Sequence, residues 1–180
     1  MKLIKTILLI IVTITGILLI IPLFVNGNYS CQREVTINKN KTEVFEFVKQ
    51  LKNQNLYSKW ATMDPNMKKI FTGTDGEVGF ISRWESEVKE VGVGEQEITN
   101  IIEDQRIDTE LRFIEPFEST DLGYMITEAV NDSTTIVKWG FKGKMKYPTK
   151  VLLLTMDIEE MLGNDLQEGL DKLKTIMEEN

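Results

Sequence analysis

The sequence contains no histidine and a single cysteine, Cys31, among its 180 residues. The absence of histidine excludes Ser-His-Asp and Cys-His catalytic groups and histidine metal ligands, together with the side chain whose ordinary pKa lies nearest to neutrality. One cysteine excludes an internal disulfide and a four-cysteine zinc site. The sequence therefore predicts no metal site, and none of its motifs indicates a cofactor.

Basic residues are also scarce, with 21 Lys and Arg against 28 Asp and Glu, a net charge of −7. Binding to a phosphate backbone needs clustered Lys and Arg, so the composition predicts no nucleic-acid partner. The glycine-containing stretch at 72–76 is not followed by a helix with Lys and Ser or Thr, which excludes a phosphate-binding loop. Nothing in the sequence specifies an oligomeric state.

Charge is missing altogether from residues 7–25, where large apolar side chains predominate. A helix of this length spans roughly 28 Å, close to the hydrocarbon thickness of a bilayer. Lys2 and Lys5 precede the run, and the first basic residues after it are Arg33 and Lys39. The positive-inside rule then predicts a single-pass protein with a cytoplasmic N-terminus and an extracytoplasmic domain in the cell membrane.

A retained signal anchor at 1–27 is the preferred interpretation of this run. A cleaved signal peptide has a shorter apolar region and a small-residue cleavage site, and a lipid-modified Cys31 needs small residues just before it. Both stay as alternatives. We predict a linker at 28–32, with Cys31 as an unpaired thiol, and a domain at 33–180. Residues 28–180 hold 19 basic and 28 acidic side chains, a net charge of −9.

The order of elements predicts an α+β domain. A strand at 33–37 precedes two short helices, a run of short alternating strands from residue 68 to 143, and one long helix after Pro148. We expect a curved antiparallel sheet of about seven strands wrapped around the C-terminal helix, with an apolar cavity between them. Gly163 and Gly169 are costly within a helix, and predict close approach to the sheet or, at Gly163, a bend.

Several stretches carry a resemblance to a known superfamily. They are VFEFV at 44–48, WATMDPNM at 60–67, residues 73–79 with Trp84, GVGE at 92–95, TTIVKW at 134–139, MLG at 161–163 and GLDKLK at 169–174. In this order and spacing they resemble the START-like (SRPBCC, Bet v 1-like) superfamily. The narrower resemblance is to polyketide cyclase/dehydrase and lipid transport-like proteins. The resemblance implies a helix-grip fold with a hydrophobic cavity, and no single reaction.

Aromatic and acidic residues of the predicted strands and short helices are the candidates for lining this cavity. Plain core packing is the alternative for each aromatic, and Glu95 and Glu97 lie in a strand without a clean apolar face. The candidates are Trp60, Trp84, Phe113, Trp139, Phe141, Glu95 and Glu97. No residue is assigned a catalytic role.

Three functions follow as hypotheses. The first is a membrane-anchored domain that binds or carries a hydrophobic small molecule or lipid. The second is a cyclase/dehydrase- or hydrolase-like enzyme that uses cavity carboxylates. The third is a structural or sensory domain whose cavity is filled by side chains.

Overall fold

A seven-stranded antiparallel sheet forms the centre of the computed structural model, which describes residues 2–179. The strands are β1 (Asn28–Ile37), β2 (Lys68–Thr72), β3 (Ile81–Glu85), β4 (Val93–Ile102), β5 (Arg106–Glu115), β6 (Ser119–Asn131) and β7 (Thr134–Lys144). Their order across the sheet is β1-β7-β6-β5-β4-β3-β2. The successive strands β2 to β7 thus form the predicted meander, and β1 adds to its β7 edge.

Helices lie at the two ends of the chain and between the first two strands. They are α1 (Lys2–Phe24), α2 (Lys41–Lys49), α3 (Gln54–Tyr57), α4 (Lys59–Thr62) and α5 (Ile158–Glu179), with 3₁₀ segments at Leu51–Asn53 and Thr149–Leu154. Asn40 caps α2, because its side-chain oxygen accepts a hydrogen bond from the Glu43 amide at 2.9 Å. The fold class predicted from the sequence is confirmed, including the apolar N-terminal helix.

The predicted linker at 28–32 is wrong, because β1 begins at Asn28 and these five residues pair with β7. Their side chains are mostly polar, so the strand depends on its hydrogen-bonded neighbour rather than on its own composition. Tyr29 and Cys31 face the interior, and Cys31 is a buried thiol rather than a linker residue. Burial raises the pKa of this thiol above its ordinary value.

The C-terminal helix begins later than the apolar pattern indicates. Asp157 accepts a hydrogen bond from the Glu160 amide at 2.9 Å, and this contact sets the start of α5. Leu154, which fits the helical spacing, therefore lies in the preceding 3₁₀ segment and is 60% exposed. Farther along α5, Leu166, Leu170 and Leu173 are fully buried in the core.

Both helix glycines are points of close approach. At Gly169 an added Cβ would lie 2.8 Å from the Trp139 ring and 3.3 Å from the Tyr57 carbonyl oxygen. At Gly163 it would meet the guanidinium of Arg33. The prediction of close approach is therefore correct at both positions, and α5 runs unbroken from Ile158 to Glu179.

Candidate functional site

A cavity of about 290 Å³ lies between the sheet, the short helices α3 and α4, and α5. Its lining includes Ser58, Trp60 and Ala61 from the helical side and Leu162 from α5. All seven strands contribute residues to the opposite wall. A larger groove of about 730 Å³, between the end of α1 and residues 153–159, is more open to solvent. The inner cavity is the better candidate for enclosing a small molecule, because an enclosed ligand loses most of its contact with water.

The five aromatic candidates all line this cavity. Trp60 lies edge-on to Trp139, with ring centroids 6.3 Å apart, and edge-on to Phe141 at 6.0 Å. Trp84 and Phe113 form a second edge-on pair at 6.0 Å. These are preferred geometries for aromatic pairs, so the rings pack favourably against one another within the wall. Their contact with a ligand stays a prediction.

Glu95 and Glu97 lie on the opposite, convex face of the sheet, so their assignment to the cavity is wrong. Arg112 binds both, with its Nε 2.7 Å from Glu95 and its Nη2 2.8 Å from Glu97. Its Nη1 also lies 2.6 Å from Glu110. These three carboxylates raise the pKa of the Arg112 guanidinium, Glu110 having the largest effect. The physical reason is strand alternation: Gln96, between the two glutamates, is the residue whose side chain faces the cavity.

Asp121 is the inward carboxylate that the sequence reasoning missed. It lines the cavity and is only 8% exposed. The apolar alternation predicts a strand starting at Leu122, three residues after the observed start of β6 at Ser119, so Asp121 falls outside the predicted strand. In the structure Asp121 pairs with Leu111 on β5, and both side chains line the cavity; this register is not readable from the sequence. Leu122, the adjacent residue, is the one that points outward and is half exposed.

Tyr29 on β1 reaches across β7 to Asp121. Its hydroxyl donates a hydrogen bond to Oδ2 of Asp121 at 2.8 Å. Gly143 on β7 lies between the two strands, and an added Cβ there would lie 2.5 Å from Oδ1 of Asp121 and from the Tyr29 ring. The absence of a side chain at Gly143 is therefore what lets this pair form.

Burial raises the pKa of the Asp121 carboxyl, and the hydrogen bond from Tyr29 and the Lys144 amide offset only part of this effect. Burial also raises the pKa of Tyr29, and the neighbouring carboxylate adds to it. Oδ1 of Asp121 has no hydrogen-bond partner among residues 2–179. Gln96 is a further polar residue of the lining, and its Nε2 donates a hydrogen bond to Oγ1 of Thr109 at 3.0 Å; the lining also contains the charged residues Lys69, Arg83 and Glu90. In the described part of the chain, no three Cys, Asp or Glu side chains are grouped to hold a metal ion.

No family model matches the sequence, and no curated protein is significantly similar to it. Solved structures are similar in fold. Norcoclaurine synthase from Thalictrum flavum, in complex with dopamine and hydroxybenzaldehyde, has a TM-score of 0.65 at 12% identity, over 89% of this chain and 92% of that one. Ara h 8.0201 has a TM-score of 0.57 at 13% identity, over 86% of this chain and 100% of that one.

The dimeric Aha1 from Colwellia psychrerythraea has a TM-score of 0.56 at 14% identity, over 83% of this chain and 96% of that one. At these identities the likeness concerns the fold and carries no activity across. The chain therefore has the helix-grip, Bet v 1-like fold that the sequence resemblance predicted.

Proposed function

We propose that this protein is a membrane-anchored START-like domain that binds a small hydrophobic molecule, or part of a lipid, between its sheet and its C-terminal helix. The observation that carries the proposal is the aromatic-lined cavity of about 290 Å³. This volume is near the lower end of the range for ligand pockets, which favours a ligand of one or two rings or a short chain. Open space beside Trp84 and Trp139 favours this function over a filled, purely structural core.

The anchor in this proposal is α1. Leu3–Phe24 is a 22-residue helix that contains an 18-residue stretch with a mean hydropathy of 3.0, and its side chains are almost all exposed. Its length of about 33 Å suffices to cross a bilayer. A cleaved signal sequence has the same composition, so the intact mass of protein purified from membranes is the test. We expect residues 1–27 to be retained, and a mass that begins after them would overturn the anchor.

The side of the membrane on which the domain lies is a separate part of the proposal. The basic residues Lys2 and Lys5 favour a cytoplasmic N-terminus. An alkaline phosphatase fused after Asn180 should be active, because this enzyme folds only outside the cytoplasm. If a reporter that functions only in the cytoplasm is active at the same position instead, the domain lies on the cytoplasmic side and the proposed orientation is wrong.

Ligand binding can be measured with N-phenylnaphthylamine, an apolar fluorescent probe. All three tryptophans of the protein line the cavity, so energy transfer from them to the probe reports its occupancy. The full chain in lipid nanodiscs should give saturable transfer that empty nanodiscs do not. Ala61→Leu adds bulk to the cavity wall and should weaken binding about tenfold. Thr62→Leu is the matched control, because Thr62 is exposed and lies outside the lining. Equal binding by both variants would contradict the cavity as the site.

Asp121 gives the proposed ligand a chemical requirement. A buried acceptor without a partner is costly, and a donor on the ligand would remove that cost. Asp121 lines the cavity, and the last torsion of an aspartate is soft, so its carboxylate can adjust to a donor placed there. We therefore expect the ligand to carry a hydroxyl or an amine on an otherwise apolar body.

Four naphthalene compounds of similar shape test this requirement by displacing the probe. Naphthylethanol and naphthylethylamine should bind about tenfold more tightly than ethylnaphthalene, because one good hydrogen bond is worth about that factor in affinity. Naphthylacetate should bind most weakly of the four. Asp121→Asn should abolish the preference for the amine and leave ethylnaphthalene unchanged. An unchanged ranking in this variant would contradict the role of Asp121, whereas failure of all four to bind would contradict the proposed function itself.

A further inference from the structure

The end of the sheet nearest to α1 has an unusual concentration of exposed apolar side chains. We define the apolar rim as Phe117, Tyr147, Leu152, Leu154 and Met156, whose exposed fractions range from 41% to 79%. A soluble surface scatters such residues singly, so a group at one end indicates a contact surface. Cys31 and the core leucines, by contrast, are buried.

Strand register places the rim at the point where the chain leaves α1. Gly27 accepts a hydrogen bond from the Met145 amide at 2.9 Å, and Asn28 pairs with Lys144. The segment that follows β7 includes Tyr147, Leu152 and Leu154, and its 3₁₀ part contacts α1. Residues 153–156 also form one wall of the groove whose other wall is the end of α1.

The turn between β5 and β6 lies at the same end of the sheet. Leu111 pairs with Asp121, which lies beside Gly143 and Tyr29 in the same row of the sheet. Along these two strands, the pair of Phe113 and Ser119 lies two residues closer to the α1 end of the sheet than the pair of Leu111 and Asp121. Phe117 lies in the turn that joins β5 to β6 at that end. Phe117 is the most exposed member of the rim, at 79%.

The distance from α1 to the rim is short compared with the thickness of a membrane interface. Four peptide units separate Phe24 from Asn28, and they span at most about 14 Å. Each polar interface of a bilayer is roughly 6 Å thick, and interfacial side chains enter it by 5–10 Å. Lys144, Lys146 and Lys150 accompany the apolar residues in this segment, a mixture typical of surfaces whose lysines extend toward lipid headgroups.

We infer that the apolar rim is inserted in the interface of the same bilayer that α1 spans. This inference rests on the membrane anchor of the proposed function. The Trp84–Phe113 end of the cavity then faces the membrane, since these two rings lie in the rows nearest to the rim. A hydrophobic molecule dissolved in the lipid would have a short path to the cavity.

The experiment uses the full chain in phosphatidylcholine liposomes, with the native thiol removed by Cys31→Ala. Leu154→Cys and Phe117→Cys each introduce one thiol for a nitrobenzoxadiazole label. Val130→Cys is the matched control, because Val130 is exposed at the far end of β6, about 30 Å away along the strands. Circular dichroism of each labelled variant verifies that the sheet is retained.

Nitroxide lipids in the bilayer should quench the labels at 154 and 117 by at least half, and should leave the label at 130 nearly unchanged. Flotation of the liposomes is recorded in parallel. Protein that floats with the liposomes while all three labels stay unquenched would overturn the rim's insertion and leave the anchor intact. Protein that does not float would overturn the anchor, and with it this inference.

Discussion

Replacing the two glycines of α5 by alanine should change the stability of the protein in opposite directions. In both variants the added methyl group favours the helix by about 0.5–1 kcal/mol, because glycine is the more flexible residue in the unfolded chain. The two positions differ in what the new Cβ meets. The helix contribution is common to both, so the difference in free energy of unfolding isolates the steric effect.

At Gly169 the methyl group meets the side of the Trp139 ring at 2.8 Å. Trp139 is 3% exposed and is held edge-on by Tyr57 and Trp60, so the ring has little room to move. Overpacking of this kind costs about 1–3 kcal/mol. The net effect of Gly169→Ala is therefore a loss of about 0–2 kcal/mol.

At Gly163 the methyl group meets the end of the Arg33 side chain. Arg33 is partly exposed, and among residues 2–179 its guanidinium donates a hydrogen bond only to the neighbouring Gln32 carbonyl, at 2.9 Å. A flexible side chain of this kind can move aside at small cost. We expect Gly163→Ala to gain up to about 1 kcal/mol, so that the two variants differ by about 1–3 kcal/mol.

Thermal unfolding of the full chain in a mild detergent measures this difference. One kcal/mol corresponds to about 2–4 °C for a chain of this size, so Gly163→Ala should melt several degrees above Gly169→Ala. The tryptophan emission spectrum should shift only in Gly169→Ala, because only that methyl group displaces Trp139. A Gly169→Ala protein as stable as Gly163→Ala would refute the rigid contact between α5 and the aromatic wall.

Three further predictions concern the core, the cavity carboxyl and the convex face. Leu170→Ala should lower the free energy of unfolding by about 2–5 kcal/mol because Leu170 is fully buried, whereas Leu154→Ala, at 60% exposure, should change it by under about 0.5 kcal/mol in the same denaturant titration. Asp121→Asn should stabilise the protein at neutral pH. Since burial raises the folded-state pKa of Asp121, wild-type stability falls as pH rises above the unfolded value of about 4, and the advantage of the variant in melting temperature should disappear below that pH. A variant whose advantage persists in acid would contradict this. Arg112→Met should cost about 1 kcal/mol, less at high salt, and leave probe binding unchanged, because its three partly exposed carboxylate partners lie outside the cavity.

The sequence by itself determined the apolar N-terminal helix, the meander and the long amphipathic C-terminal helix. These features depend on local periodicity, and periodicity is readable residue by residue. The aromatic residues of the cavity wall were predictable for the same reason, since Trp84, Trp139 and Phe141 share strand faces with other apolar residues. Resemblance to a known superfamily then supplied the way in which sheet and helix pack.

Only the tertiary structure decided which polar residues face the cavity. Glu95 and Glu97 lie in a strand without an apolar face, so their direction depends on the register with Arg112 on the next strand. Asp121 and Tyr29 are 92 positions apart and meet only because β1 pairs with β7 beside β6, over the bare backbone of Gly143. β1 itself extends through polar residues 28–32 because β7 offers a paired edge. Such contacts depend on strand order and on the space left by a missing side chain, and neither quantity is local in the sequence.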